Sequence, residues 1–185
     1  IDASDRGVTL LTRSTDGGVS WEPATPVYDP GNGRQTIGNV VVTTPDGVVH
    51  LFFTELGPAA GNPALLEGSL AVMRSGDKGV TWSTPTTIAQ LLAVGTEVAE
   101  PPLAVRAGEI LATFAAHPVD GTLYAAWQDA RFSGGAHDGI ALARSMDGGL
   151  TWSAPQRVNA NGAVPAFTPA LAVLSGGLVG VTYYD

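Results

Sequence analysis

Ten consecutive residues, Asp129-Ala130-Arg131-Phe132-Ser133-Gly134-Gly135-Ala136-His137-Asp138, hold two acids, one base and one histidine. A guanidinium in such a segment can grip a substrate carboxylate through its planar donors, so Arg131 is a candidate binding residue. Asp129 and Asp138 are candidates for acid/base work, and His137 is a second binding candidate. Gly134 and Gly135 permit the tight loop that would draw these groups together. The competing reading is architectural: a salt-bridged, Asp-capped loop between two strands. Arg34, and Glu97 or Glu100, sit in other loops that could share the same face, although each also reads as a solvated loop charge.

Other reactive types are accounted for more simply. Tyr183 falls in register with Phe53 and Trp127, an aromatic core position, and Tyr184 has no identifiable partner glutamate. His50 and His117 lie in or beside apolar runs and read as packed histidines. No His/Asp/Glu spacing suggests a transition-metal site, and the chain has no cysteine, which excludes disulfides and thiolate chemistry. No glycine-rich phosphate loop or serine nucleophile elbow is present. No cofactor and no metal are expected.

The elements that must position these groups follow from composition and repetition. In 185 residues, 44% are hydrophobic and only 14% charged, which excludes a disordered chain. Gly (24) and Pro (13) are frequent and separate short apolar runs, the pattern of short strands and many turns. The net charge of −8, with nine scattered basic residues, disfavours nucleic acid as a partner. No apolar run approaches the roughly 18–20 residues of a membrane span.

Three segments share the pattern R-S-x-D-x-G-x-[S/T]-W: Arg13 to Trp21, Arg74 to Trp82 and Arg144 to Trp152. Each follows an apolar run and precedes a short Pro-containing strand, and so reads as a hairpin turn. The Asp accepts backbone N–H groups within the turn, the Gly takes positive φ, and the Trp staples the hairpin to its neighbour. Ser14, Asp16, Gly18, Trp21, Ser75, Asp77, Gly79, Trp82, Ser145, Asp147, Gly149 and Trp152 are therefore structural. Full burial is the condition on which Trp82 and Trp152 would be large contributors to stability.

A second repeat lies upstream. Gly47 to Glu55, Gly121 to Asp129 and Gly177 to Asp185 align, and each follows a further apolar strand. The unit is thus four strands, A to D, with the Asp-containing turn between C and D. The chain holds strands C and D of one unit (8–27), whole units at 35–90 and 109–158, and strands A and B of another (166–185). The fold expected is all-β: a single partial β-propeller of four-stranded antiparallel blades, about three of them.

The S-x-D-x-G-x-[S/T]-W turns resemble the Asp-box, or BNR repeat, of the sialidase (neuraminidase) superfamily. That resemblance implies a six-bladed propeller, of which three blades are half. It also implies retaining exo-glycosidase chemistry on terminal sialic acids, with a Tyr nucleophile polarised by a Glu, an Asp as acid/base and three Arg holding the sugar carboxylate. The Arg-Ile-Pro motif that carries the first of those Arg does not occur in this sequence. Many proteins with such boxes are not sialidases, so fold and reaction are separate inferences.

Strand alternation puts the A–B and C–D turns on one rim and the B–C and D–A loops on the other, where the superfamily keeps its active site. The B–C loops are expected at Glu55 to Gly68 and Asp129 to Asp138, and the D–A loops at Asp29 to Gln35, Ala89 to Gly108 and Asn159 to Pro165. Asp129, Arg131 and Asp138 are expected together on that rim, beside the central axis. Two function classes stay open: a sialidase-like glycoside hydrolase, and a non-catalytic propeller that binds glycans or proteins. The resemblance implies a bacterial, secreted or cell-surface protein with a glycan as substrate or ligand. The sequence starts at Ile1 with no signal peptide following, which reads as a piece of something longer. Its remaining partners would be further blades of a longer chain or a second copy.

Overall fold

The apolar runs and the turns between them become strands, and the computed structural model describes residues 6–98 and 103–185. Two four-stranded antiparallel units dominate. In the first, β4 (Arg34–Thr43), β5 (Val49–Ala59), β6 (Asn62–Ser75) and β7 (Thr86–Gln90) lie side by side in chain order. In the second, β10 (Thr113–Ala116), β11 (Leu123–Asp129), β12 (Gly139–Ser145) and β13 (Gln156–Arg157) repeat that order. Two two-stranded sheets complete the pattern: β2 (Thr9–Leu11) with β3 (Thr25–Tyr28), and β14 (Phe167–Val173) with β15 (Val179–Tyr184). A short β1 (Arg6–Gly7) pairs in parallel with the start of β4. The described residues contain no α-helix, only a 3-10 turn at Ala130–Ser133. No helix among them is long and apolar enough to cross a membrane.

The sheets stack face to face because the central strands are apolar on both sides. Successive side chains of a strand point to opposite faces. Accordingly, Leu51 and Phe53 of β5 pack with Val27 and Tyr28 of the preceding sheet. Phe52, between them, packs with Phe114, Leu123 and Trp127 of the following one. Phe52 and Phe114 stack at 4.4 Å between ring centroids, a close aromatic contact across the two sheets. One step on, Ala126 and Ile140 meet Leu171, Val181 and Tyr183 of the β14–β15 sheet. The chain therefore carries an all-β fold of stacked antiparallel sheets of the propeller type.

Each box closes the turn between the third and fourth strand of its sheet. Asp77 Oδ1 accepts from the backbone of Val80 and Thr81, and Oδ2 from the Thr81 hydroxyl at 2.6 Å. Ser75 Oγ donates to Asp77 and accepts from Gly79 N–H. Asp16 and Asp147 make the same set. These bonds favour the carboxylate, the hydroxyl of Thr81 or Thr151 most, and hold Asp77 and Asp147 down to about 2.

Trp82 and Trp152 pack against the core clusters, Trp152 edge-on to Phe52 of the neighbouring sheet, but neither meets the condition of full burial. Trp82 and Trp152 are half-buried and Trp21 is 63% exposed, whereas the one fully buried indole among the described residues is Trp127, outside any box. The box Trp sits at a rim turn, where solvent reaches one side of the ring. Two expectations about loops change. The segment from Glu55 to Gly68 is no loop: β5 and β6 stay paired up to Ala59 opposite Asn62. The segment from Ala89 to Gly108 includes a small hairpin, β8 (Thr96–Val98) with β9 (Leu103–Val105).

One box carries a misfit. Lys78 has φ +63°, at the position where the other boxes have Gly17 (+76°) and Gly148 (+69°). The left-handed region costs an L-residue roughly 1–2 kcal/mol, and glycine's larger entropy loss offsets part of that. Lys78→Gly is expected to raise stability by about 1 kcal/mol in urea denaturation. An unchanged or lowered midpoint would contradict the conformational account.

Candidate functional site

The second strand of each complete sheet carries an acid seven positions along, Glu55 within β5 and Asp129 at the end of β11, away from the box turns. Leu123 at the start of β11 pairs with the box residue Ser145, and Asp129 at its end pairs with Gly139. Asp129 is fully buried and caps the 3-10 turn, accepting the Arg131 N–H at 2.9 Å. Its carboxylate also accepts Arg131 Nε and Nη2, each at 2.7 Å, and the Trp127 indole N–H at 2.7 Å. The Arg131 guanidinium lies 5.9 Å from the centroid of the Trp127 ring, a cation–π distance. Trp127, Asp129 and Arg131 thus form one unit built from five consecutive residues.

Arg131 also donates through Nη2 to the carbonyl of Gln90, at the end of β7 in the preceding sheet. β7 is the strand of that sheet farthest from β4, so Arg131 bridges the two sheets at that strand. The cause is local, because the buried Asp129 two residues earlier captures the guanidinium. Among the described residues nothing bonds the two Nη1 hydrogens. The side chain, 25% exposed, lines an open hollow of about 600 Å³ with Leu91, Leu92, Val94 and the Gly134-Gly135 turn.

Asp138 is equally buried but does different work. It accepts the backbone N–H groups of Val94 (2.8 Å) and Gly95 (3.0 Å), tying the 91–95 segment to the sheet. Gln128 Nε2 donates to it at 3.2 Å, and Gln128 Oε1 accepts Thr168 N–H, extending the network to β14. Burial pushes the Asp138 carboxyl above its ordinary value, against the pull of its three donors. His137 is half-buried, with its ring Nδ1 3.4 Å from the Asp138 carbonyl.

Arg34 belongs to a separate cluster. Its Nε donates to Glu55 Oε1 at 2.6 Å, and the Tyr28 hydroxyl donates to Glu55 Oε2 at 2.6 Å. Burial, and then the hydrogen bond to Glu55, push Tyr28 up to about 12, so its phenol stays protonated at neutral pH. Glu55 holds the position in β5 that Asp129 holds in β11, as the aligned repeats indicate. Nothing in the sequence marks Tyr28 as its partner, because the two meet across a sheet seam. Glu97 is exposed, and Glu100 lies outside the described residues. Tyr183 is half-buried in the third apolar cluster, whereas Tyr184 is exposed and stacks on Phe167 at 5.8 Å. His50 and His117 are buried, with His50 Nε2 3.2 Å from the Gly148 carbonyl. No group of three metal-ligating side chains occurs among the described residues.

Comparison with solved structures agrees with this architecture. A protein of unknown function from Dyadobacter fermentans superposes with a TM-score of 0.58 at 23% identity, over 94% of this chain and 43% of its own. The Hadza microbial sialidase superposes with a TM-score of 0.52 at 21% identity, over 86% of this chain and 32% of its own. The chain thus spans less than half the length of either, and at these identities the likeness is one of fold. Residues 3–130, more than half of the chain, match the family model described as BNR repeat-like domain, and the chain belongs to that family.

Proposed function

We propose that the chain is part of a sialidase-like, glycan-handling propeller and that the hollow over Arg131 receives an acidic sugar. The observation that supports this is Arg131 itself. Three of its N–H donors are fixed by Asp129 and Gln90, which holds the guanidinium rigid, while among the described residues nothing bonds the Nη1 pair at an open hollow. A pre-positioned arginine with spare donors suits a carboxylate. The apolar wall of Leu91, Leu92 and Val94 suits the carbon face of a sugar ring.

Exo-α-sialidase-type hydrolysis of terminal sialic acids, or of a related glycoside, is the activity that the superfamily resemblance suggests for a complete propeller. Asp129 or Asp138 would serve as acid/base. A second reading, a non-catalytic scaffold that binds glycans or proteins, is favoured by one observation. Both aspartates are fully buried and bonded to protein groups, whereas an acid/base must reach its substrate. A bacterial, secreted or cell-surface setting accords with a glycan ligand.

Titration of the chain with N-acetylneuraminic acid and with a neutral hexose, followed by NMR, tests the binding. The acidic sugar is expected to shift resonances of Ala130 to Gly135 and the neutral one much less. Arg131→Lys should weaken the acidic sugar at least about tenfold, because an ammonium lacks the planar fork. Equal affinity in the variant, or no shifts in the folded wild type, would end the reading. A fluorogenic sialoside assay on the longest available form of the protein separates hydrolase from scaffold.

A further inference from the structure

In two of the three boxes, one carbonyl of the turn is held by the preceding sheet. Lys78 and Gly148 occupy the same left-handed position of their boxes, at φ +63° and +69°. The Lys78 carbonyl accepts Arg13 Nη1 at 2.9 Å. The Gly148 carbonyl is met instead by His50 Nε2, at 3.2 Å. Arg74, which corresponds to Arg13 in the repeat, lies directly opposite His50 in the β5–β6 ladder. Its Nε is buried with no partner among the described residues. The same docking contact is therefore made by a permanent cation at one seam and by a titratable ring at the other.

His50 is enclosed in the second of these seams. By strand alternation it shares with Phe52, Val72 and Arg74 the face that meets the second complete sheet. The ring is 1% exposed and stacks beside Phe52, with centroids 6.3 Å apart. A carbonyl can only accept, so Nε2 carries the proton and Nδ1 is bare. Nδ1 is buried and has no partner among the described residues. A second proton would place on Nδ1 a charge that no bonded partner offsets. Burial holds His50 below its ordinary value, against the pull of the Gly148 carbonyl, Asp46 and the Val48 carbonyl, and Arg74 adds to the lowering. In the facing turn, the Asp147 carboxylate is engaged within its own box. Asp120, across a crevice shared with Asp46 and Gly148, contacts His117 at 2.9 Å. β4 places the uncharged Val42 opposite His50.

We propose that His50 makes the seam between the two complete sheets an acid-released joint, closed while the ring is neutral and loosened when it takes a proton. An opened seam returns the ring to water, where it protonates near its ordinary value of about 6.5. The closed seam binds that proton less readily. Closure is therefore fully favoured above the ordinary value and is lost progressively as pH falls below it. At about pH 5, the ordinary value limits the shift in the opening equilibrium to about thirtyfold. The Arg13–Lys78 contact stays charged throughout that range and does not respond to it. Trp152 reports on the joint, because it lies edge-on to Phe52 across the seam at 6.2 Å and its indole N–H is buried. Trp82 reports on the other seam, where it packs with Val27 and Tyr28 and donates to the Gly79 carbonyl at 3.2 Å.

Hydrogen exchange of the two indole N–H groups, followed by NMR in steps from about pH 7.5 to about pH 5, tests the joint on the 185-residue chain. Each rate is divided by that of free indole at the same pH. Protection at Trp152 is expected to fall about tenfold over this range, within the limit that linkage sets. The fall should share its midpoint with the His50 ring resonances, while protection at Trp82 holds. His50→Gln keeps an amide donor for the Gly148 carbonyl but cannot titrate, so it should abolish the fall. Unchanged protection at Trp152, an equal fall at both indoles, or a fall that survives in a folded His50→Gln variant would each overturn the proposal. The wild-type comparison of the two indoles decides the matter even where the variant does not fold.

Discussion

Trp127→Ala is expected to destabilise the chain by about 3–5 kcal/mol, the range for removing a fully buried large aromatic side chain. The indole has no exposed surface and packs among Phe114, Leu123 and Ala141, between two sheets. Its N–H also satisfies the buried Asp129 carboxylate. A loss of that size is comparable to the whole stability of a small domain, so a marginal protein would unfold outright. Urea denaturation followed by circular dichroism reads it. Trp21→Ala is the control: that ring is mostly solvent-exposed and should cost less than about 1 kcal/mol. Similar losses for the two variants would show that the seam is not the core of the fold.

The second large effect belongs to Asp129. Asp129→Ala removes the acceptor of the Arg131 guanidinium, of its backbone N–H and of the buried Trp127 indole N–H. Removing one partner of a fully buried pair costs about 3–5 kcal/mol; Arg131 is 25% exposed at the open hollow and recovers part of its hydration, so the expected loss is about 2–3 kcal/mol. Asp129→Asn should cost less, since one acceptor oxygen remains. Asp129→Ala combined with Arg131→Ala should cost clearly less than the two single losses added together. Strict additivity would show that the pair contributes nothing jointly and that Asp129 acts through its cap alone.

The strand framework was legible because the sequence repeats it. The boxes, the Gly-apolar-acid strands and their order all found their places, since period-two apolar patterning and local turn chemistry act within a few residues. What the sequence could not show were the contacts made between sheets. The Tyr28–Glu55 bond joins residues 27 positions apart across a seam, with no spacing rule to announce it. The reach of Arg131 to Gln90 spans 41 positions and depends on how two sheets lean together. The burial of the box indoles, left as a condition by the sequence, depends on the same kind of contact. A Trp in a rim turn is hydrophobic by type, but its exposure depends on what the neighbouring sheet happens to cover. The aligned repeats end the second strand at Glu55 and imply a loop to Gly68, yet the β5–β6 ladder runs on through that region.

The self-contained hydrogen bonding of the box has a consequence for the order in which the chain assembles. Every bond from Asp77 or Ser75 within the turn joins residues no more than four apart. Closing so short a loop takes little entropy and, by general timescales, well under a microsecond. The flanking strands then meet by zipping outward from the turn. Sheet stacking must wait until two such hairpins exist, because neither buries its faces alone. The boxes thus act as seeds spaced along the chain, each able to start its own hairpin. That keeps most early contacts local, a condition associated with fast folding in a class of topology that is otherwise slow.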